Sequence, residues 1–508
     1  MYKYDISEPS EEPIITYLMG YLDSIDFSEY IVFDFHLCRD LSSSEIVESS
    51  ITDYVLVVRE TGENVHYVKR LAKFISKESP DSKIWIYGQV ARFRLFKDLP
   101  DNVQVVIHDE RIFAEKLGVS NGGPSYEEGL VASSYAQYVE LNDSFKKRFK
   151  AIIETSRGCH FGCKFCFINQ GKNYDKRWKV RPIKAVLSDI EHYVSLGVVN
   201  FVFYDSEFVG ADESNYGRLI SLLESIRDRF NINYKIYCRA DTLLKFDNFK
   251  LLKDSGLVQV FVGAESLYQG DLDAMNKTLN VEDIKQCISK LKDYDIYANI
   301  SFITFNRNTS IESLSENIMQ VKELLKTKSH LTGVPAFTFS FESYWRKTSD
   351  VKESKLSKRT YVYHDLNQKE QPFIPEVFNA DLEPLMEIYR LLSYEWNKKM
   401  VDLNYKKDLL SGSESDAVKK WFAALPHFCI EQMELFLNLF RSGKLTLDSL
   451  ENHSDLLFSN IRNYYSSYLP EYLCHLNSYS DHAQQLEYAS TVQKEEMSEY
   501  WLDLIPAN

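Results

Sequence analysis

Short apolar runs alternate with segments of helical periodicity over the first quarter of the chain. The apolar runs are rich in valine and isoleucine, as strands buried on both faces are, and they read EYIVFDFH, DYVLVV, KIWIYG and VQVVIHD. Between them, PIITYLMGYLDSI and HYVKRLAKFISKES repeat their apolar residues at the spacing of one helix face. This alternation predicts a parallel sheet with helices on both sides. Residues 1–125 are therefore predicted to form a Rossmann-like domain.

The alternation begins again near residue 145, after the linker GVSNGGPSYEEG. Six strand candidates follow, separated mostly by helical segments: KAIIET, NFVFYD, YKIYCRAD, LVQVFVGAE, IYANISFITF and VPAFTFSFE. Six βα units predict an incomplete parallel barrel over residues 145–345 instead of the closed eight-unit form. In either form, catalytic groups are expected at the carboxyl ends of the strands.

The last part of the chain changes character twice. Residues 346–379 are polar and locally basic, which predicts a solvated loop or hairpin; the alternative is a lid or a docking surface for an acidic substrate. Residues 380–508 have helical periodicity and many aromatic residues, which are predicted to form the core of a helical C-terminal domain. The predicted fold class is therefore α/β with a helical C-terminal addition.

Composition narrows the classes of protein further. The 508 residues are 44% hydrophobic and 14% aromatic, as expected of a folded protein of several domains. A net charge of −15 argues against nucleic-acid binding over the whole surface. No apolar run reaches the roughly 18 residues of a membrane span, and the acidic start MYKYDISEPSEEP lacks the features of a signal peptide. A cytoplasmic location without membrane association is therefore expected.

Three of the eight cysteines occur in ETSRGCHFGCKFCFINQ, directly after the first strand of the predicted barrel. Gly158 and Gly162 are expected to let this loop wrap around one point. Structural zinc needs four protein ligands; no second CxxC or CxxH lies nearby, and His160 is in the same tight loop. Three thiolates favour an iron–sulfur cluster with one iron left open. The other five cysteines are scattered, and they are predicted to be buried apolar residues: Cys38, Cys238, Cys287, Cys429 and Cys474.

The segment CHFGCKFC, with Phe165 directly before its last cysteine, resembles the signature of the radical S-adenosylmethionine (SAM) enzymes. The resemblance implies that Cys159, Cys163 and Cys166 hold a [4Fe–4S] cluster and that SAM chelates the fourth iron. Reduction by one electron would then cleave SAM to methionine and a 5′-deoxyadenosyl radical. That radical abstracts hydrogen from an unactivated C–H bond.

Polar residues at later strand ends match positions where this family contacts SAM. The resemblance assigns the amino end to FYDSEF, the carboxylate to YCRAD, and the ribose or amino group to VGAESL. The residues concerned are Asp205, Ser206, Glu207, Arg239 and Glu265. Hydrogen bonding to neighbouring backbone explains each of them equally well. The fifth strand departs from the family, since it reads FITFNRN where many members carry FIxGxP.

A parallel-sheet domain followed by ETSRGC is similar to the cobalamin-binding branch of this family, over residues 1–345. The resemblance implies cobalamin as a cofactor, with Glu60, Thr61 and Gly88 as candidate contacts. His36 in DFHLCR lacks the glycine of the DxHxxG motif and is not expected to bind cobalt. The segment YGQVAR keeps one glycine where this branch commonly has GGPH. A first domain that keeps the fold without the cofactor therefore remains open.

The leading hypothesis is a radical SAM enzyme that carries out cobalamin-dependent C-methylation of a natural-product intermediate or a ribosomal peptide. The alternatives are a cobalamin-independent rearrangement, epimerisation, cross-linking or oxidation, and a non-catalytic iron–sulfur scaffold. The tail has no CxxC pair, which favours a single cluster reduced by an external flavodoxin or ferredoxin. Cys238 is considered as a donor of a hydrogen atom to a substrate radical.

Overall fold

The computed structural model describes residues 13–27, 51–57, 65–88, 99–107, 109–119, 123–133, 149–166, 178–306, 308–334, 362–363, 371–372, 380–406, 410 and 412–474. Its first domain contains a parallel sheet in the order β1-β2-β3. Its elements are α1 (Pro13–Ser24), β1 (Asp53–Val57), α2 (Val65–Glu78), β2 (Lys83–Gly88), β3 (Val103–Ile107) and α3 (Glu110–Leu117). The predicted strand EYIVFDFH and the candidate residues His36, Cys38, Glu60 and Thr61 lie outside the described residues.

The second domain is built on six parallel strands in the order β11-β10-β9-β8-β7-β4. These strands are β4 (Lys150–Ile153), β7 (Asn200–Phe203), β8 (Asn233–Arg239), β9 (Leu257–Glu265), β10 (Tyr297–Phe302) and β11 (Thr332–Gly333). The predicted parallel six-unit α/β architecture is confirmed. The sixth strand, however, lies just ahead of the predicted segment VPAFTFSFE, most of which is outside the described residues.

Helices cover one face of this sheet. They are α4 (Ile183–Ser195), α5 (Tyr216–Arg229), α6 (Ala240–Phe246), α7 (Phe249–Asp254), α8 (Gln269–Ala274), α9 (Val281–Asp293) and α10 (Ile311–Leu325). Along β9, Val260 and Val262 are fully buried against this helical layer, whereas Phe261 and Gly263 are only half-buried. Because strand residues alternate between faces, the half-buried set lines the interior of the incomplete barrel.

The C-terminal helices share one apolar core with the barrel. They are α11 (Glu383–Lys406), α12 (Gly412–Arg441) and α13 (Leu450–Tyr468). The Tyr389 hydroxyl donates to the Met433 carbonyl at 2.6 Å, and the Lys322–Glu434 ion pair joins α10 to α12. Within the mainly undescribed segment 346–379, β12 (Val362–Tyr363) pairs antiparallel with β13 (Gln371–Pro372). Among the described helices, none has the length and apolar character needed to span a membrane.

Candidate functional site

The three clustered cysteines lie in a loop at the carboxyl end of β4, the first barrel strand. We call residues 154–166 the cysteine loop. It is framed by a short antiparallel pair, β5 (Ser156–Arg157) and β6 (Lys179–Val180). Gly158 adopts a φ of 91°, which is a left-handed conformation that favours glycine. The expectation for Gly162 is wrong, because it has no positive φ and an added methyl group would make only an ordinary contact with Asn276.

The second half of the cysteine loop is fastened to the turn that follows α8. The Asn276 side-chain amide donates to the Gly162 carbonyl at 2.9 Å, and the Lys164 amide donates to the Met275 carbonyl at 3.0 Å. The Lys164 ammonium also reaches the Ala274 carbonyl at 3.1 Å. These bonds connect positions more than 100 residues apart and hold the loop over the mouth of the barrel.

Positive charge surrounds the buried Cys163. The Arg239 guanidinium lies 3.9 Å from its sulfur and stacks over the Phe161 ring at 3.8 Å. The Lys277 ammonium, which is also buried, lies 5.5 Å from the centre of the Phe165 ring. Burial raises the pKa of the Cys159 thiol to about 11. Metal binding at that sulfur therefore has to displace a proton.

The donor set fits an iron–sulfur cluster better than a single metal ion. Cys159, Cys163 and Cys166 are not joined by a disulfide within the described part of the chain. Among all the residues that the structure describes, no three His, Cys, Asp or Glu side chains lie close enough together to hold one metal ion. In a cluster each thiolate binds a different iron, so the sulfurs need not converge on one point. The nearby Arg239 and Lys277 suit the negative charge of such a group.

The predicted SAM contact Asp205 lies at the end of β7 and supports the cysteine loop directly. Its Oδ1 atom accepts hydrogen bonds from the backbone amides and the hydroxyls of Thr155 and Ser156. Its Oδ2 atom is buried and has no hydrogen-bond partner among the described residues. Burial raises the pKa of Asp205 to about 7, although the Ser156 and Thr155 hydrogen bonds oppose this shift.

Glu207 and Ser206, the other two predicted SAM contacts after β7, differ in exposure. The buried Glu207 accepts from the Arg239 amide at 2.8 Å and from the Thr242 hydroxyl at 2.9 Å. Its carboxylate also accepts from the Cys238 thiol at 3.0 Å. Cys238 thus faces the helical layer, which does not favour the idea that it donates a hydrogen atom to a substrate. Ser206, by contrast, is exposed at the strand end.

Arg239 and Glu265 are both held by other protein groups. The Arg239 guanidinium pairs with both oxygens of Asp241, at 2.9 and 3.1 Å, and donates to the Lys277 carbonyl at 2.8 Å. Glu265 has a φ of 69° and forms an ion pair with the Lys277 ammonium at 2.9 Å. Lys277 was not predicted as a site residue, because a lysine in MNKT is typical of a solvated turn. It is 5% exposed.

Aromatic rings cross the barrel interior one layer below this mouth. The Tyr204 and Tyr237 ring centres are 5.7 Å apart, and those of Tyr237 and Phe261 are 5.3 Å apart. Tyr237 and Phe261 are paired in register on β8 and β9, and Tyr204 directly follows Phe203, the last residue of β7. All three are half-buried, and their rings are inclined to one another by 86° and 47°, so they present an uneven apolar surface on the inner side of the barrel.

A fully buried ion pair supports the cysteine loop from its other side. Arg181, which follows β6, pairs with the Asp189 carboxylate on α4 at 2.8 Å, and both side chains are 0% exposed. The same guanidinium donates to the Glu154 carbonyl at 2.7 Å and to the Tyr17 hydroxyl at 2.9 Å. Tyr17 belongs to α1, so this network links the N-terminal helix to the first residue of the loop.

Comparison with known proteins agrees with this arrangement. The family model of the Radical SAM superfamily matches residues 153–326. The anaerobic magnesium-protoporphyrin IX monomethyl ester cyclase of Rubrivivax gelatinosus is 24% identical in an alignment 355 residues long that covers 61% of each chain. The match thus spans about three fifths of that relative. The hopanoid C-3 methylase of Methylococcus capsulatus is 27% identical over 133 residues, which are 26% of this chain and 24% of the methylase.

Two solved structures share the fold. One is the cobalamin-dependent SAM radical enzyme OxsB with aqua-cobalamin bound, which has a TM-score of 0.61 at 14% identity and covers 91% of this chain and 77% of OxsB. The other is the radical SAM methyltransferase TsrM from Kitasatospora setae, which has a TM-score of 0.51 at 16% identity and covers 63% of this chain and 69% of TsrM. At these identities the likeness concerns the fold.

Proposed function

We propose that this member of the radical SAM superfamily is an enzyme that functionalises an unactivated carbon atom. The observation that carries the proposal is the cysteine loop, which presents Cys159, Cys163 and Cys166 at the carboxyl end of the first strand of a parallel barrel. These three residues would hold a [4Fe–4S] cluster. When bound, the cluster and SAM supply a 5′-deoxyadenosyl radical that abstracts hydrogen from carbon.

The chain's own residues divide into two groups in this proposal. Asp205, Glu207 and Arg239 are largely used by neighbouring protein groups, so their task is to fix the strand ends around the cluster. Ser206 is the more accessible candidate for a direct SAM contact. Glu265 would contact SAM while its carboxylate also stays paired with the Lys277 ammonium. The half-buried aromatic layer would exclude part of the water that otherwise competes in radical chemistry.

We further propose that the first domain binds cobalamin and that the favoured reaction is methyl transfer. The support is the parallel sheet placed upstream of the cysteine loop, together with the fold likeness to OxsB over 91% of the chain. Parallel sheets bind ligands beyond their carboxyl ends. There, at the end of β2, Gly88 has a φ of 148°, which allows a close approach of the backbone. Cobalamin would supply a methyl carrier at this edge.

A second candidate reaction is an oxidation such as ring closure. It is favoured by the relative from Rubrivivax gelatinosus, which is named a cyclase and not a methylase. In both cases the substrate is proposed to be a small molecule or a peptide, and the electron donor an external flavodoxin or ferredoxin. The aromatic layer formed by Tyr204, Tyr237 and Phe261 suits a substrate that has an apolar part.

The first experiment is a cofactor assay on the full chain. The protein is reconstituted anaerobically with iron and sulfide, supplied with hydroxocobalamin and desalted, and its absorption spectrum, iron and cobalt contents are measured. About four irons and about one cobalt per chain support the methyltransferase. Iron without cobalt refutes cobalamin binding and leaves oxidation as the reaction to test.

Cysteine variants test the cluster and the chemistry separately. Cys163→Ala is expected to abolish both iron retention and formation of 5′-deoxyadenosine from SAM with dithionite. Cys287→Ala is the matched control, because Cys287 is a buried cysteine on α9, away from the loop. A wild-type protein that holds the cluster yet never cleaves SAM would favour the non-catalytic scaffold.

A further inference from the structure

We propose that Arg157 is a positioning residue through which the first domain fixes the start of the iron–sulfur site. The inference rests on the proposed function, because it takes Cys159 as a cluster ligand. Arg157 lies on β5, and only Gly158 separates it from Cys159. Gly158 takes a left-handed conformation, with a φ of 91°, directly after the arginine. Because only this residue lies between them, the position of Arg157 limits the positions that Cys159 can take.

Carboxylates from two different domains hold the Arg157 side chain. Its Nη1 atom lies 3.1 Å from Glu110 Oε1, and its Nε atom lies 2.9 Å from Glu154 Oε2. The guanidinium also stacks over the Tyr126 ring at 4.2 Å from the ring centre. The side chains of Arg157, Glu110 and Glu154 are 13%, 6% and 8% exposed. The group is thus closed on one side by the first domain and on the other by the barrel.

Glu110 places this contact at the ligand-binding edge of the first domain. It is the first residue of α3 and follows the carboxyl end of β3, while Asp109 caps the helix by accepting from the Ile112 amide at 3.0 Å. Since parallel sheets bind ligands at this edge, Glu110 connects the proposed cobalamin site to the cysteine loop. The connection joins residues that are 47 positions apart in the sequence.

The cysteine loop is therefore held differently at its two ends. Its start is held by Asp205 of the barrel at Thr155 and Ser156, and by Arg157, which also contacts Glu110 of the first domain. Its end is held by the barrel alone, through Asn276 and Met275. A shift of the first domain relative to the barrel would therefore act on the start of the loop through Arg157, and not on its end.

Stability alone is a weak reason for this arrangement. A buried ion pair is often no more stabilising than apolar residues of the same volume, because removing charges from water is costly. What the pair does supply is a defined geometry, because a guanidinium fixes the direction of two carboxylates at once. That is the property needed to orient the residues beside Cys159, because the first domain and the barrel both contact them.

Two variants test the inference on the full-length reconstituted protein. Glu110→Gln keeps the shape of the side chain and removes its charge, and Arg157→Lys keeps the charge and loses the planar fork. Residues that orient metal ligands typically change metal affinity by about 10–100-fold, so each variant is expected to lose iron to a chelator at an about tenfold lower chelator concentration. The low-temperature electron paramagnetic resonance signal of the reduced cluster is expected to change its response to SAM.

Arg111→Lys is the matched control. Arg111 is the next residue on α3 and pairs with Glu128 at 2.8 Å, but both side chains are well exposed. This control is expected to retain iron and the SAM-dependent signal like the wild type. Wild-type iron retention and spectra in both test variants would overturn the inference, even if their unfolding temperatures fell. Failure of the wild type itself to assemble a cluster would instead overturn the proposed function.

Discussion

The buried Arg181–Asp189 pair gives the sharpest test of the energetics that hold the cysteine loop. Asp189→Asn keeps the shape of the side chain but leaves the guanidinium without its anionic partner. Asp189 now accepts from Arg181 at 2.8 Å and, through its other oxygen, from the Ala132 amide at 3.0 Å. An asparagine amide cannot accept at both places, so one buried donor loses its bond. Removing one partner of a fully buried ion pair typically lowers the free energy of unfolding by about 3–5 kcal/mol.

That cost has a measurable thermal equivalent. At about 2–4 °C per kcal/mol for domains of this size, Asp189→Asn is expected to lower the unfolding temperature by about 6–20 °C. The measurement is differential scanning fluorimetry at pH 7 on metal-free protein. Asp416→Asn is the control, because Asp416 forms an exposed pair with Lys419 at 3.2 Å and is expected to cost less than about 1 kcal/mol. Equal small shifts for both variants would refute the assigned role of burial.

The remaining predictions concern backbone strain at two glycines and the pH dependence of stability that Asp205 causes. Gly256→Ala is expected to lose at least about 2 kcal/mol in urea unfolding, because φ is +106° and a new Cβ would overlap the Ile232 carbonyl oxygen. Gly197→Ala has a φ of +86° and no atom within 4 Å, so it should lose only the conformational share of about 1–2 kcal/mol; an equal loss in both variants would contradict the overlap. Burial raises the pKa of Asp205 from 3.8 to about 7, so the folded metal-free protein holds a proton that the unfolded chain releases. Asp205 should therefore contribute about 4 kcal/mol more stability at pH 4 than at pH 8, measured in urea titrations as the difference between the wild type and Asp205→Asn; a difference that does not change with pH would contradict it.

The sequence predicts the parallel architecture and the position of the cysteine loop because both depend on local patterns. A valine- and isoleucine-rich strand followed by a helix recurs in both of the first two domains. Each such unit can be recognised from its own residues, without knowledge of the other units. The loop is expected at a strand end because it directly follows KAIIET, and the structure places it after β4. Gly158 takes the left-handed conformation that the pattern predicts, whereas Gly162 does not.

The roles of individual polar residues could not be predicted from local sequence patterns. Glu207 and Arg239 satisfy each other and their neighbours through contacts across strands, and a sequence does not show which partner is nearest. Lys277, in the turn after α8, is buried beside Glu265, the last residue of β9, and that contact is invisible in the sequence. The contact between Arg157 and Glu110 joins two domains, and nothing local marks either residue as part of a pair.

The position of Tyr17 has a consequence for the order in which this protein assembles during synthesis. Its hydroxyl is 3.4 Å from Asp189, a residue 172 positions further along the chain. At about 5–20 residues per second, the ribosome takes roughly 10–30 s to deliver that partner after Tyr17 has been made. During that time, the side of the nascent helix α1 that packs against the barrel remains exposed to solvent. A truncation that removes residues 1–25, and with them Tyr17, is expected to leave the barrel in the insoluble fraction on expression.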